Sequence, residues 1–316
     1  MVNRVVALAG GVGGAKLASG LAAILPAGAL TVIVNTGDDF DHLGLRICPD
    51  LDTVAYTLAG IANRRTGWGR SDETWSFLET LGHLGGPTWF RIGDRDLALH
   101  AYRTARLREG AALSAVVDEV RRAWNIGPRI LPMSDDDVRT IVLTDEGDLA
   151  FQEYFVRRAC EPRVHGFRFE GAQTARPAAG VLEAIAAADL VVVCPSNPWV
   201  SIDPILAIPG VREGVAARPV VAVSPFVGGR AVKGPAAKMA VELGLATTPQ
   251  AVAGHYAGVV DGLVYDVADP DVGARLESAG ILSLRTRTLM RSDRDRRRLA
   301  EDVMAFGESL VAVPVP

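Results

Sequence analysis

The first 35 residues constrain the fold more than any other part of the chain. A continuous apolar run at residues 4–9 ends in a glycine cluster, and a helical pattern at 15–25 follows it. A second apolar run, at 30–35, comes next. Apolar runs without alternation are typical of strands that are buried on both faces. The order strand, glycine loop, helix, strand therefore predicts a Rossmann-like, doubly wound and mostly parallel α/β sheet.

The rest of the chain predicts the same fold with an insertion. Helical patterns at 50–62, 72–82, 96–109 and 112–125 form a helical block, and two alternating runs around the turn 145–148 predict a β-hairpin within 140–156. Helices at 180–187, 235–243, 272–279 and about 293–310 then mix with strands at 190–194, 220–224, 263–267 and 281–285. We expect one domain over 1–316, with a helical and hairpin elaboration at about 63–180.

Composition narrows the class of protein. The chain is 49% hydrophobic and 22% charged, so it can bury a sizeable core. Its net charge of −4 gives no reason to expect a nucleic-acid partner. The one basic run, at 291–298, alternates with acids. We interpret it as a solvated helix start with Ser292 as N-cap and Asp295 at N3, the alternative being an interaction patch.

Cysteine usage and hydropathy indicate a cytoplasmic protein. The three cysteines are odd in number and form no CxxC pair, so neither a disulfide framework nor a zinc cage is expected. Arg4 before an apolar stretch could mimic a signal peptide, but the glycine cluster interrupts that stretch. We expect no membrane span, because no apolar run reaches the ~18 residues that one needs.

The glycine loop at 10–16 reads GGVGGAK and leads from a strand into a helix. Glycines let a backbone approach a phosphate closely, and a helix N-terminus attracts the anion. The loop matches neither GxGxxG nor GxxxxGK[ST], which disfavours a dinucleotide site of the usual kind and a P-loop. Two interpretations stay open: a tight structural turn, or phosphate binding by Gly11, Gly13, Gly14 and Lys16.

Acidic residues follow the second strand, where the segment 35–41 reads NTGDDFD. Ligands of parallel sheets sit at this end of the strands, and oxygen ligands around Mg²⁺ would relieve the repulsion between carboxylates. Asp38 and Asp50 are therefore the candidate metal ligands and catalytic residues. Asp39 and Asp41 are explained as well by a solvated turn.

Neutral polar groups at three other strand ends and loops complete the candidate site. Two prolines fix the turn CPSNP at 194–198, and SPFVGG at 224–229 follows another strand. The segment TWFRIGDRD at 88–96 offers a tryptophan that could stack on a flat ring. Structural turns and core packing would also explain these segments. The substrate-binding candidates from these segments and from the start of the 35–41 segment are Asn35, Thr36, Thr88, Trp89, Asp94, Ser196, Asn197, Pro225, Gly228 and Gly229.

Taken together, these motifs resemble the 2-phospho-L-lactate transferase family, which acts in the biosynthesis of the deazaflavin coenzyme F-420. The resemblance rests on GGVGGAK, NTGDDFDHLGLRICPDLDTV, TWFRIGDRDLALH, PMSDDDVRT, CPSNPWVSIDPIL and SPFVGGRAVKGPAAKM, in this order over about residues 4–245. It implies a Mg²⁺-dependent homodimer. It also implies transfer of a phospholactyl, phosphoenolpyruvyl or phosphoglyceryl group from a guanosine diphosphate-linked donor to the ribityl hydroxyl of 7,8-didemethyl-8-hydroxy-5-deazariboflavin, with release of GMP.

The resemblance also implies roles for the candidate residues. The glycine loop and Gly228–Gly229 would hold the diphosphate or guanosine of the donor, with Ser196 and Asn197 as further guanosine contacts. Asp50, with Asp38, would hold Mg²⁺, and an aspartate such as Asp38 would accept the hydroxyl proton. The deazaflavin pocket would be lined by Asn35, Thr88, Trp89 and Asp94.

Two other functions remain open at this point. The first is a non-catalytic, nucleotide-sugar-binding regulatory protein of the same superfamily, which would share the glycine loop and the NTGDD turn. The second is a dinucleotide-dependent oxidoreductase, which the strand–glycine–helix start invites and the broken GxGxxG disfavours. The acid that the donor carries cannot be read from the residues, although the Ala- and Arg-rich composition favours enolpyruvyl or glyceryl.

Overall fold

A computed structural model describes residues 2–312 of the chain. Alternating strands and helices run along most of it, with two π-helical turns at Glu153–Arg157 and Pro198–Ile202. In chain order the elements are β1 (Val5–Ala9), α1 (Gly11–Ile24), β2 (Leu30–Val34), β3 (Phe40–His42), β4 (Leu45–Ile47), α2 (Pro49–Leu58), α3 (Ser76–His83), α4 (Asp94–Arg108), α5 (Leu113–Ala123), β5 (Arg129–Pro132), β6 (Arg139–Thr144), β7 (Gly147–Ala150), β8 (Val164–Glu170), α6 (Val181–Ala186), β9 (Leu190–Val193), α7 (Asp203–Leu206), α8 (Val211–Ala216), β10 (Val220–Val223), β11 (Phe226–Val227), β12 (Arg230–Ala231), α9 (Ala236–Glu242), α10 (Pro249–His255), β13 (Gly262–Asp266), α11 (Gly273–Ser278), β14 (Leu282–Thr286) and α12 (Asp293–Ala312).

Seven of these strands form a parallel sheet in the order β14–β13–β10–β9–β1–β2–β5. The chain builds outwards from β1 through β2 to β5 and then returns to the other side of β1 with β9. The predicted Rossmann-like, doubly wound fold is thus confirmed. The loops after β1 and β9 lie side by side at this change of direction, at the carboxyl ends of the strands, where parallel α/β sheets bind their ligands.

The central strands are apolar throughout because helices cover both faces of the sheet. Side chains alternate along a strand, so Val6 and Leu8 of β1 pack on one face, with α6, α8 and α9. Val5 and Ala7 pack on the other face, with α1, α2, α5 and α12. A strand between two helix layers has no polar face to show in its sequence, and this explains the continuous apolar runs.

The inserted region differs from the predicted helical block. Its helices α3, α4 and α5 are present, but β5 lies inside it and forms an edge of the central sheet. The predicted hairpin is confirmed as β6–β7, yet its second strand ends at Ala150, and β8 pairs with β6 to make a three-stranded antiparallel sheet. The four-residue strand β5 contains a proline and is too short for its periodicity to be recognised.

Three further boundaries differ from the sequence-based prediction. Helix α1 begins at Gly11 rather than at residue 15, so the glycines lie in its first turn. Helix α2 ends at Leu58, four residues early. The β3–β4 hairpin was missed, because its turn places Leu43 at φ 55° before Gly44, and leucine is not a residue that signals such a turn.

The basic run near the C-terminus has the predicted structure. Helix α12 starts at Asp293, with Ser292 Oγ accepting a hydrogen bond from Asp295 N at 3.2 Å and the Asp295 carboxylate accepting from Ser292 N at 2.9 Å. This reciprocal pair is the capping box expected from the sequence. Among the helices of residues 2–312, none has the length and hydropathy that crossing a bilayer requires.

Candidate active site

The loops after β1 and β9 are joined directly by Ser196. Its hydroxyl accepts a hydrogen bond from Gly10 N at 3.0 Å and donates one to Gly10 O at 2.8 Å. A Cβ on Gly13 would lie 2.2 Å from the carbonyl oxygen of Pro195, and one on Gly14 would lie 2.5 Å from Ser196 Oγ. Gly13 and Gly14 therefore allow two loops of the protein to pack closely, which favours the structural interpretation for these two glycines.

Asp50 lies at the meeting point of three elements. Gly11 N, in the first turn of α1, donates to its Oδ1 at 2.7 Å, and Asn35 Nδ2, at the end of β2, donates to its Oδ2 at 2.9 Å. Asn35 also donates to the carbonyl oxygen of Val200 at 3.1 Å and accepts from Gly37 N at 2.8 Å. The structure thus brings together the predicted residues Gly11, Asn35 and Asp50.

Asp38 joins this cluster as a second buried carboxylate. Only 5% of Asp38 and 6% of Asp50 is exposed, and no lysine or arginine of residues 2–312 forms an ion pair with either. Burial and the nearby charge of Asp50 raise the pKa of Asp38 well above its usual range. Burial raises the pKa of Asp50 to about 6, against hydrogen bonds from Asn35 and Gly11. The pair therefore repels itself in a site with no compensating cation.

This donor set fits a divalent cation that prefers oxygen ligands. Oδ1 of Asp38 is buried and has no hydrogen-bond partner among the described residues, so it is free to bind one. Two carboxylates with spare lone pairs are the ligands that Mg²⁺ takes in phosphate-transferring sites. The observation supports the assignment of Asp38 and Asp50 as metal ligands but leaves the identity of the ion to experiment.

The other two acids of the 35–41 segment lie in different surroundings. Asp41 is exposed and lies 3.8 Å from Arg46, as a solvated turn residue would. Asp39 is buried, and burial raises its pKa to about 8 despite the positive charges of Arg46 and Arg103. The solvated interpretation is therefore right for Asp41 and wrong for Asp39.

A second group of buried ionisable side chains lies behind α2. Asp52, Asp96 and His100 offer atoms within 4.8 Å of one another, a spacing that a metal ion could use. Both oxygens of Asp52, however, accept hydrogen bonds from the guanidinium of Arg103. A permanent cation already neutralises this aspartate, so the group is a structural ion-pair network rather than a metal site.

A basic cavity of about 500 Å³ lies beside α1, between the β11–β12 hairpin and residues 289–291. Lys16, Arg230 and Arg291 line it. Lys16 Nζ donates to the carbonyl oxygen of Met290 at 3.1 Å, and its pKa is lowered by burial and by the charges of Arg296 and Lys233. No carboxylate among the described residues pairs with Lys16 or Arg230, so the cavity suits an anion.

Gly228 and Gly229 form the turn of the hairpin beside this cavity. Their φ angles of 58° and 71° are both positive, as a two-residue type I′ turn requires. Gly229 N donates to Asp269 Oδ1 at 3.0 Å, so it is already bound within the protein. Sequence analysis missed Arg230, although this residue directly follows the SPFVGG segment that it had singled out.

Trp89 lies in an aromatic cluster on the β3–β4 hairpin. Its ring centroid is 5.2 Å from that of His42, edge-on, and 6.0 Å from that of Phe40. The hairpin begins immediately after Asp38 and Asp39, so the cluster is linked to the acidic turn. Thr88 beside it is exposed.

Three residues that were predicted to contact a substrate have surroundings within the protein that can now be described. The carboxylate of Asp94 accepts from Ser76 N at 3.1 Å and Phe77 N at 2.9 Å and thereby caps the start of α3. Asn197 accepts from Trp199 N at 3.1 Å at the start of a π-helical turn. These two side chains have structural partners in the protein. Thr36 is buried with no hydrogen-bond partner for its hydroxyl among the described residues.

With this geometry established, comparison with known proteins identifies the family. The family model described as "2-phospho-L-lactate transferase CofD" matches residues 5–303. The chain belongs to the CofD family. It is therefore a transferase of the CofD type.

Relatives of this CofD-family chain match it over nearly its whole length. "Phosphoenolpyruvate transferase" of Kitasatospora aureofaciens is 48% identical over 97% of this chain and 98% of its own. "2-phospho-L-lactate transferase" of Methanopyrus kandleri is 45% identical over 98% and 99%. A solved structure, a member of the UPF0052 family from Bacillus halodurans, covers 96% of this chain and 99% of its own, with a TM-score of 0.64 and 16% identity. This last likeness shows the fold alone.

Proposed function

We propose that this CofD-type transferase acts in coenzyme F-420 biosynthesis and moves a phosphoenolpyruvyl group onto a deazaflavin. The donor is the guanosine diphosphate derivative of enolpyruvate. The acceptor is the terminal ribityl hydroxyl of 7,8-didemethyl-8-hydroxy-5-deazariboflavin, and GMP is released. The observation that carries the proposal is the buried pair Asp38–Asp50, with no compensating cation, at the switch point of the sheet.

The reaction requires no covalent bond between the substrates and the protein. The ribityl oxygen bonds to the distal phosphorus while the bond from that phosphorus to the GMP oxygen breaks, so the enzyme has mainly to position groups and balance charge. Mg²⁺ held by Asp38 and Asp50 would supply charge neutralisation at the phosphate oxygens. Asp38, which lies beside the proposed ion, would be placed to accept the hydroxyl proton.

We assign the two substrates to different parts of the carboxyl edge of the central sheet. The donor's diphosphate is assigned to the basic cavity, because Lys16 and Arg230 are cations without carboxylate partners. The deazaflavin ring is assigned to the side of Trp89, whose aromatic cluster adjoins the acidic turn. Asn35, fixed between Asp50 and Val200, would hold the reacting end between them.

The choice of enolpyruvyl rests on the names of relatives. The protein of Kitasatospora aureofaciens and that of Streptomyces coelicolor, 48% and 45% identical, are both named "Phosphoenolpyruvate transferase". The relative from Methanopyrus kandleri, which is 45% identical, is named "2-phospho-L-lactate transferase". The transferase description of the family and of these relatives also favours this function over the non-catalytic regulator.

Mass spectrometry of reaction products tests the proposal. Purified protein is incubated with the deazaflavin alcohol, Mg²⁺ and each of the enolpyruvyl, lactyl and glyceryl donors in turn. We expect GMP and the enolpyruvyl phosphodiester, with the highest kcat/KM for the enolpyruvyl donor. A preference for another donor would correct the acid alone, and no product with any donor would refute the transfer itself. Light scattering of the same sample tests the homodimer that the family resemblance implies.

A further inference from the structure

We propose that Arg103 is a positioning residue that sets the orientation of Asp50 through Asp52. The inference rests on the proposed function, since it concerns the carboxylate that would hold the metal. Arg103 touches no reacting group that we have assigned. It lies in α4, in the inserted region, and is 3% exposed.

Helix α2, which carries Asp50 in its first turn, starts with Pro49 but without a side-chain N-cap. Its N-cap residue is Cys48, whose side chain makes no capping hydrogen bond. Asp50 itself is held by two hydrogen bonds, from Gly11 and Asn35, on the side that faces the sheet. The opposite side of the first turns must be held by other contacts.

The guanidinium of Arg103 supplies that second attachment. It donates two roughly parallel hydrogen bonds to the two oxygens of Asp52, and Nη1 also donates to the carbonyl oxygen of Arg46 in β4 at 3.2 Å. Thr104, next in α4, accepts from Arg46 N at 2.8 Å. One buried, permanently charged side chain thus joins α2, α4 and the hairpin that follows the acidic turn.

Because α2 is a helix, the contact between Arg103 and Asp52 also determines the position of the Asp50 carboxylate. Residues advance by about 100° each, so Asp50 and Asp52 project from nearly opposite sides of α2. A carboxylate about 6 Å from the helix axis moves by roughly 1 Å when the helix rotates by about 10°. A displacement of this size in a reacting site can lower a rate by on the order of 100-fold.

The network continues from Asp52 towards the segment that carries Trp89. His100 lies 3.7 Å from Asp52 and 3.4 Å from Asp96, and Asp96 accepts a hydrogen bond from the hydroxyl of Tyr56 in α2. Helix α4 begins five residues after Trp89. The same helix therefore anchors α2 and follows the proposed acceptor segment, which links the metal-binding carboxylate to the inserted region.

The test compares three variants in full-length protein. Arg103→Lys keeps the charge but loses the paired hydrogen bonds. We expect its kcat to fall to about one tenth of the wild-type value or below. The Mg²⁺ concentration for half-maximal rate should rise severalfold, with KM for the deazaflavin changed less than twofold. Arg103→Met leaves the buried Asp52 without its guanidinium partner and should lower Tm by roughly 5–10 °C as well.

A double variant separates positioning from mere stability. Asp52→Leu with Arg103→Met replaces the buried pair by apolar groups, a change that often restores stability. We expect Tm to recover most of its loss while kcat and the Mg²⁺-induced increase in Tm stay low. Recovery of kcat together with Tm would overturn the inference. If the double variant is itself unstable, Arg103→Lys decides, because a wild-type kcat and Mg²⁺ response in that variant would also overturn it.

Arg106→Lys is the matched control. Arg106 lies one turn further along α4 and pairs with Glu119 at 2.9 Å, away from α2, so all readouts should remain at wild-type values. The two hypotheses fail in different ways. Absence of product and of a Mg²⁺-induced Tm increase in the wild type would refute the proposed function. A normal wild type with an unaffected Arg103→Lys would refute the inference alone.

Discussion

The two sides of the candidate active site hold their charges in opposite ways. On the acid side, Asp38 and Asp50 are buried, repel each other and accept hydrogen bonds only from neutral groups. On the basic side, Lys16 and Arg230 line a cavity and pair with no carboxylate among residues 2–312. Helix α1 connects the sides, since Gly11 binds Asp50 and Lys16 follows about 7.5 Å further along the axis.

The two sides therefore differ in their effect on the stability of the native state and in their proposed role in the reaction. Like charges in a buried site destabilise the native state and are kept only where a ligand needs them. Cations around an open cavity cost little, because water continues to solvate them. We therefore expect the acid side to govern turnover and to reduce stability, and the basic side to govern donor affinity.

The largest expected effect is on turnover in Asp50→Ala. Loss of this carboxylate should lower metal-dependent product formation by on the order of 1,000-fold, as removal of a preorganised electrostatic group does. Product is measured by mass spectrometry and folding by circular dichroism, with exposed Asp41→Ala as control. Wild-type rates would remove Asp50 from the site and would end the contrast between the sides.

The next effect is on donor affinity in Lys16→Met. Removing this ammonium should raise KM for the donor about tenfold, or ~1.4 kcal/mol, and change kcat less. Initial rates at varied donor concentration measure both constants. Arg297→Gln, an exposed charge on α12, is the control. A fall in kcat at unchanged KM would show that Lys16 acts in turnover, the role expected of the acid side, and not in donor binding.

The acid side should also make stability depend on pH in metal-free protein. The pKa of Asp50 is raised to about 6 and that of Asp39 to about 8, so the folded state binds protons that the unfolded state has released. The free energy of unfolding should then fall as pH rises from about 4 to 8, by up to roughly 1.4 kcal/mol per pH unit for each group. Urea denaturation at a series of pH values measures this slope.

A matched variant isolates the contribution of Asp39 to that slope. Asp39→Asn removes one of the three buried carboxyls whose pKa is raised, so the decline between about pH 6 and 8 should become shallower, while Asp38 and Asp50 still contribute their part of the slope. An unchanged slope above pH 6 would show that Asp39 is not the group responsible.

The smallest expected effect is a gain of stability in Asp38→Asn. The substitution removes a buried carboxyl next to Asp50 that has no compensating cation, so at pH 8 without metal the free energy of unfolding should rise, by roughly the 1 kcal/mol typical of a single substitution. Lys16→Met, its counterpart on the basic side, should change stability less. Destabilisation by Asp38→Asn would mean that its charge has a partner in solution.

The sequence predicted the acid side better than the basic side, for a physical reason. Asn35 and Asp38 directly follow a strand whose apolar run is unmistakable, so their place at the sheet edge could be inferred. Arg230 and Arg291 lie 61 residues apart and meet only because a short hairpin and the loop before α12 approach α1. Isolated arginines on loops carry no periodic signal that would bring them together.

The apolar runs, the glycine loop and the turn residues by themselves determined the parallel sheet, the position of its carboxyl edge and the family. Tertiary structure alone decided which acids are buried, that Gly13 and Gly14 serve loop packing, and that Asp94 caps α3. Periodicity arises from local contacts, which neighbouring residues record. Burial and ion pairing, as between Asp52 and Arg103, depend on segments that are distant in the chain, and no local pattern encodes them.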